Sequence, residues 1–217
     1  LPQPAQQPLE PRKTPVQTRA TVSVESILEA TLQVLLDVGQ ARLTTTRVAE
    51  RAGVSVGTLY QYFPNKNALL KTVMERHLAE VSEAVEAACE RLHGQPLAAM
   101  AEGVVRDFLQ VKLGNLRKSM ALYTFSYDLD RAQIVKCISE RIRTSIAGML
   151  RTSPEPLGTD PTMAASMLGD MMAGVARRIV ETEIPKKQSD AMQRELVVAA
   201  TAYLLASALK PTRKPCR

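Results

Sequence analysis

The chain has 217 residues, 45% of them apolar but only 4% aromatic and none of them Trp, which suits one large domain or two small ones with a core of Leu, Val, Ala and Met. Its formal net charge of +6 favours a polyanionic partner without requiring one. Cys89, Cys137 and Cys216 are too few and too scattered for a disulfide framework, no stretch is long and apolar enough to span a bilayer, and the N-terminal "LPQPAQQPLEPRKTP" lacks the apolar run of a secretory signal, so the expectation is a soluble cytoplasmic protein that avoids membranes.

Residues 1–20 are rich in Pro and Gln and end on Arg12, Lys13 and Arg19, which predicts a flexible basic arm. Ser23 is placed as the N-cap of a first helix, "VESILEATLQVLLDVG", with Ile27, Leu28, Leu32, Leu35 and Leu36 at helical spacing and Gly39 at its end. "LTTTRVAERAG" follows as a short helix capped by Thr44 or Thr45, and "SVGTLYQYF" as another, stopped by Pro64-Asn65. Asn65 then caps a long amphipathic rod in which Leu70, Met74, Leu78, Val81, Val85, Ala88 and Leu92 recur at steps of three and four, closed by Gly94 and Pro96. Further helices are expected at 97–113, 115–126, 129–151, 161–182 and 189–209, separated by "LGN", "SPEPLGTD" and "IPKKQSD". With no alternating β-branched run, the fold class is all-α, with about nine helices: a three-helix helix-turn-helix head at 21–66, a helical body at 67–210 and a basic tail at 211–217.

The segment "AERAGVSVGTLYQYFPNKNALL" meets the needs of a helix-turn-helix corner. Ala49 is small enough for two helices to cross, and Gly53 tolerates the positive φ of the turn. Val48, Ala52, Val54, Leu59 and Tyr62 are spaced to face inward. Ser55, Val56, Thr58, Tyr60 and Gln61 are left outward, short or hydrogen-bonding, as entry into a major groove requires. Gly57 sits inside the second helix at a cost of about 1 kcal/mol relative to Ala. Close approach of backbone to DNA would compensate that cost. An ordinary tight helix corner is the competing reading; an A-x-x-x-G match alone is common, and the joint match of small residue, glycine turn and five apolar positions is what favours DNA binding.

Over Ser23 to Met74, and most specifically in "LTTTRVAERAGVSVGTLYQYFPNKNALL", the chain resembles the DNA-binding signature of the TetR family of bacterial transcriptional regulators: a threonine-led helix, A-G-V-S, G-x-[LI]-Y, an aromatic and K-x-x-L. The resemblance implies an obligate dimer with two three-helix heads, and a helical body that usually binds a small molecule. It also implies phosphate contacts by Tyr60, Tyr62 and Lys66, backbone contacts by Thr45 or Thr46 with Arg47, and base contacts by Val56, Gly57, Thr58 and Gln61. The Gln61 amide can pair bidentately with adenine. Val56 and Gly57 depart from a hydrogen-bonding readout and suit contact with thymine methyls, or shape. Arg19 of the arm is a further DNA candidate, or part of a solvated tail.

In the body, "MAASMLGDMMAGVA" has Asp170 as its only charge, and "LVVAATAYLLASAL" has none. A helix without a polar face is buried on most sides. Either the two helices form an intersubunit four-helix bundle, through Met163, Met167, Asp170, Gly174, Leu196, Ala200, Tyr203 and Leu204, or they form a monomer core. Phe108, Leu122, Tyr123, Phe125, Tyr127, Met149, Met167 and Met171 are candidate liners of an effector pocket for a small apolar or aromatic molecule, with plain core as the competing assignment. "ERLH", Glu90 to His93, has the spacing of a di-iron helix, but the second such motif is missing and Cys89 with His93 finds no third ligand. No P-loop, G-x-S-x-G or Ser/His/Asp set appears, so no cofactor, metal or catalysis is expected. The sequence reads as a nucleoid-associated regulator that binds a palindromic operator as a homodimer, most simply a repressor released by an effector; a constitutive DNA-binding regulator and, remotely, a helical metalloenzyme are the rivals.

Overall fold

A computed structural model describes the backbone of residues 18–123, 128–182 and 184–208, and the side chains of these except at 18–22 and 128–131. Nine α-helices occur among the described residues: α1 (Thr18–Arg42), α2 (Thr45–Ala52), α3 (Val56–Tyr62), α4 (Lys66–Arg91), α5 (Leu97–Gly114), α6 (Leu116–Tyr123), α7 (Asp128–Leu150), α8 (Pro161–Glu181) and α9 (Lys186–Ser207). None is long and apolar enough to cross a membrane. Three boundaries differ from expectation; one is α9, which starts at Lys186 inside the expected break "IPKKQSD" and takes in Lys186 to Asp190 of it. Helix α1 starts five residues before Ser23, because no Gly or Pro interrupts the chain between Thr18 and Gly39, so Ser23 lies within the helix and is not its cap. Gly39 breaks the helical dihedrals (φ 74°, ψ 168°), but the chain resumes for one more turn to Arg42 and seats Leu43, 1% exposed, in the core.

The chain forms two compact units. The first takes in the chain to His77 together with Arg117–Arg131. Its core holds Ile27, Leu28, Val34 and Leu35 of α1, Val48 and Ala49 of α2, Leu59 of α3, Phe63, and Leu69, Leu70 and Val73 of α4, all buried. Polar links brace the helices at its rim. Arg51 of α2 reaches Asp37 Oδ2 (2.9 Å) and Gln33 Oε1 (3.3 Å) on α1, and Arg76 of α4 pairs with Glu25 of α1. Deeper in, His77 Nε2 of α4 lies 3.3 Å from Ser119 Oγ of α6, both side chains buried.

The second unit comprises Leu78–Leu116 and the chain from Ala132. Helix α5 packs along α8 and α9, and α8 along α9. Val81, Val85, Met100, Val104, Val105, Ile146, Met149, Leu168, Met172, Leu196, Ala200 and Leu204 form one continuous core. Helix α5 has no capping side chain of its own at Pro96, and the carboxylate of Glu155, from the α7–α8 loop, accepts the Leu97 N–H at 2.7 Å instead. A negative charge at a helix N-terminus also complements the macrodipole. Asp160 caps α8 by accepting from Met163 N, with Pro161 in the first turn, where its missing N–H costs nothing. Arg141 of α7 grips Glu86 of α4 bidentately at 2.9 and 2.8 Å, and Ser82 Oγ donates to the same carboxylate. The guanidinium holds the Glu86 carboxyl below its ordinary range.

Two stability predictions follow from these contacts. Phe63→Ala empties one of the largest fully buried sites of the first unit and should cost about 3–5 kcal/mol, read by urea unfolding. Because Glu86 titrates lower in the folded chain than in the unfolded one, its bridge to Arg141 contributes stability above the ordinary carboxylate range and loses it as pH falls through the depressed value. Arg141→Met should therefore lower the melting temperature at neutral pH, and the gap to the parent should close in acid; a gap that stays constant with pH would contradict the bridge.

Candidate nucleic-acid interface

The corner between α2 and α3 is set by hydrogen bonds that the residue types make available. Thr44 caps α2, its side chain accepting from Arg47 N at 3.3 Å. At the other end Gly53 adopts the left-handed conformation (φ 67°, ψ 29°), in which a side chain would cost roughly 1–2 kcal/mol. Gly53 N donates to Glu50 O (3.2 Å) and Val54 N to Ala49 O (3.0 Å), the pattern of a Schellman cap. Ser55 then restarts the chain as the N-cap of α3, accepting from Thr58 N at 3.0 Å and lying 2.8 Å from Thr58 Oγ1. Asn65 Oδ1 accepts from Ala68 N at 2.9 Å and opens α4.

These caps aim α3. Leu59, fully buried, and Phe63, 1% exposed, pin its inner face, and Val48 and Ala49 are buried beneath it on α2. Ala52, Val54 and Tyr62 are half-buried, at the edge of the core. Phe63 is absent from the inward set read from the sequence, although it stands one turn after Leu59 at the same face spacing. On the outer side, Ser55, Gly57, Tyr60 and Gln61 are exposed, Tyr60 by 41%, and Val56 and Thr58 are half-buried. A Cβ added at Gly57 would meet only Ser55 Oγ, at 3.7 Å, an ordinary contact. The fold itself therefore has no need of a glycine there.

The candidate phosphate contacts fall into different situations. Lys66 and Thr46 are exposed. Thr45 is half-buried, with its Oγ1 3.1 Å from the Tyr60 hydroxyl, so the start of α2 and the outer face of α3 are joined through a pair of hydroxyls. Arg47 is exposed, and its Nη1 donates to Arg42 O at 2.9 Å, closing the last turn of α1. The side chain of Arg19 lies outside the described residues.

The candidate residues of the body need correction. On α8, Met163, Met167, Asp170 and Gly174 form an exposed line at steps of four, three and four. On α9, Leu196, Ala200 and Leu204 are at most 3% exposed, because that face of the helix turns into its own core; they cannot form an outer surface, and Tyr203 is half-buried. The outer line of α9 is offset by about two residues and consists of Val198, Ala199, Ala202, Leu205 and Ala206. Of the candidate pocket liners, Phe108 and Met149 belong to the core of the second unit, and Met171 packs against it, half-buried. Leu122 is buried and Tyr123 half-buried in the first unit. Met167 is 42% exposed on the outer line of α8, while Phe125 and Tyr127 lie outside the described residues. Cys89 is buried, which pushes its thiol up to about 12, whereas His93 is exposed beyond α4. Among the described residues no three His, Cys, Asp or Glu side chains gather into a metal-binding group.

Residues 27–73 match the family model described as bacterial regulatory proteins, tetR family, and residues 96–204 match the model of the tetracyclin repressor-like C-terminal domain. Among curated proteins, the chain is 42% identical over 59 residues to the HTH-type transcriptional regulator BetI 1 of Chromohalobacter salexigens, covering 27% of this chain and 29% of that one. It is 37% identical over 94 residues to the HTH-type transcriptional repressor KstR of Mycolicibacterium smegmatis, covering 43% and 41%. The chain thus spans less than half the length of these two relatives. The fold resembles that of a TetR-family regulator from Mesorhizobium loti, with a TM-score of 0.72 at 19% identity over 89% of this chain and 100% of that one. It also resembles SmeT in its complex with triclosan, with a TM-score of 0.64 at 22% identity over 88% and 93%. One family model takes in the corner and the other covers residues 96–204, half of the chain, and the chain belongs to the TetR family of bacterial transcriptional regulators.

Proposed function

We propose that the protein is a cytoplasmic, nucleoid-associated repressor that binds a palindromic operator as a homodimer and is released by a small apolar or aromatic effector. The observation that carries the DNA-binding part is the outer face of α3: an exposed Gln61 and Tyr60 beside a glycine that the fold does not require. One α3 from each subunit enters a major groove, with Lys66, Thr45, Thr46, Arg47, Tyr60 and Tyr62 at the flanking phosphates. Gln61, Thr58, Val56 and Ser55 face the base edges. Gly57 admits the backbone to contact distance.

The dimer is proposed through the outer lines of α8 and α9. Met163, Met167, Val198 and Leu205 are the large apolar side chains exposed there, by 42–59%, and burial against a second copy would remove them from water. Release by an effector is the finer part of the proposal. Its support is that SmeT, a fold neighbour, was solved as a complex with triclosan, and that the relative KstR is named a repressor. Helix α4 contributes residues to both units and would carry the signal. Weakening operator affinity by 10²–10³ requires a coupling of about 3–4 kcal/mol.

Selection of bound sites from random DNA tests this function. The parent should return a palindromic motif, and Gln61→Ala should lose base preference at one position in each half-site; an unstructured pool from the parent would refute sequence-specific binding. Gly57→Ala separates fold from function. Alanine should stabilise α3 by up to about 1 kcal/mol in thermal unfolding, yet weaken binding to the selected site. Unaltered affinity in this variant would remove the argument from close approach.

A further inference from the structure

Three consecutive threonines open α2, and the structure puts them in three different situations. The Thr44 side chain is the N-cap and accepts from Arg47 N at 3.3 Å. Thr46 is exposed. Thr45 is half-buried, the least exposed of the three, and its Oγ1 lies 3.1 Å from the hydroxyl of Tyr60, 15 residues on. Capping does not call for this second hydroxyl, because Thr44 already supplies the cap. The core does not call for it either: Val48, Ala49 and Leu59 close the corner with buried apolar side chains. Tyr60 is 41% exposed, and an exposed side chain without a fixed contact exchanges between rotamers within nanoseconds. The hydrogen bond to Thr45 fixes the far end of that phenol beside the start of α2.

A side chain already held in its bound position has less freedom to lose when a partner arrives. The start of α2 is also where Thr46 and Arg47 are exposed, two of the residues assigned to the flanking phosphates. Resting on the DNA-binding reading above, we infer that Thr45 is a positioning residue: it serves a flanking phosphate through Tyr60 and makes no contact with that phosphate itself. Its oxygen already has a partner, and of the pair Tyr60 is the exposed member. The chemistry of the pair adds a second property. Neither hydroxyl carries a charge, so the contact releases no counterion, and a phosphate is the same beside every base. The contribution of Thr45 and Tyr60 is therefore independent of salt and of sequence, unlike those of Lys66 and Gln61.

Fluorescence anisotropy of the full chain on the selected operator and on a scrambled duplex tests this, with Thr45→Val, Tyr60→Phe, the double variant and Thr45→Ser. Thr45→Val keeps the branched shape and removes only the hydroxyl. Tyr60→Phe should weaken binding about three- to tenfold on both duplexes, and Thr45→Val at least about twofold, with salt slopes like the parent's. In the Tyr60→Phe background Thr45→Val should have no further effect, and Thr45→Ser should bind like the parent. Losses that multiply in the double variant would give Thr45 a phosphate contact or a structural effect of its own and overturn the inference. So would a Thr45→Val that binds like the parent, a Thr45→Ser as weak as Thr45→Val, or a loss confined to the operator. Each of these leaves the DNA-binding reading intact, whereas a parent that binds neither duplex would overturn that reading and this inference together.

Discussion

A helix of seven residues is far below the length at which an isolated helix persists in water, and α3 is such a helix. Everything that gives it a fixed direction comes from outside its own hydrogen bonds. The Gly53 cap sets where the chain leaves α2, the Ser55 side chain sets where it restarts, and Leu59 with Phe63 sets which side faces inward. Stability in this part of the molecule is spent on orientation. The consequence is an outer surface on which Gly57 and Gln61 are free to be chosen for what they meet.

The second unit solves a different problem. Its helices are long and their apolar content is high, so formation is easy and the difficulty lies in choosing a rotation. Helix α9 buries Leu196, Ala200 and Leu204 and leaves Val198, Ala202 and Leu205 outside, two apolar lines on one helix. Long-range polar contacts supply what apolar matching leaves undetermined. Arg141 fastens α7 to α4, and Glu155 holds the first turn of α5 from a loop 58 residues away.

This contrast explains what was legible in the sequence. The corner demanded a particular residue type at each place, a small crossing residue, a glycine at positive φ, and a hydroxyl or amide cap, and so it could be read with its outward residues. The nine helices among the described residues were legible from spacing and from turn residues, save at Thr18, where nothing marks the start, at Gly39, which kinks the helix without ending it, and at Lys186, which opens α9 inside a stretch with turn chemistry. The face of α9 was not legible, because a helix that is apolar all round carries no periodic signal to say which line is inner. Pocket and core could not be told apart for a related reason: Met149 and Phe108 serve a core in the same chemical terms as they would serve a ligand. Bonds such as Glu86 to Arg141, between residues 55 apart in the chain, leave no local trace.

The two hydroxyls of Thr45 and Tyr60, 3.1 Å apart, carry a further consequence, one of direction. Each hydroxyl has a single proton to give, and a phosphate oxygen can only accept. If Tyr60 gives its proton to Thr45, it turns lone pairs toward any approaching phosphate and repels it. Only when Thr45 donates to Tyr60 does the phenol proton point outward. A docking phosphate therefore has to polarise the pair in one sense, and a residue at 45 that could accept but never donate would hold Tyr60 in the wrong one.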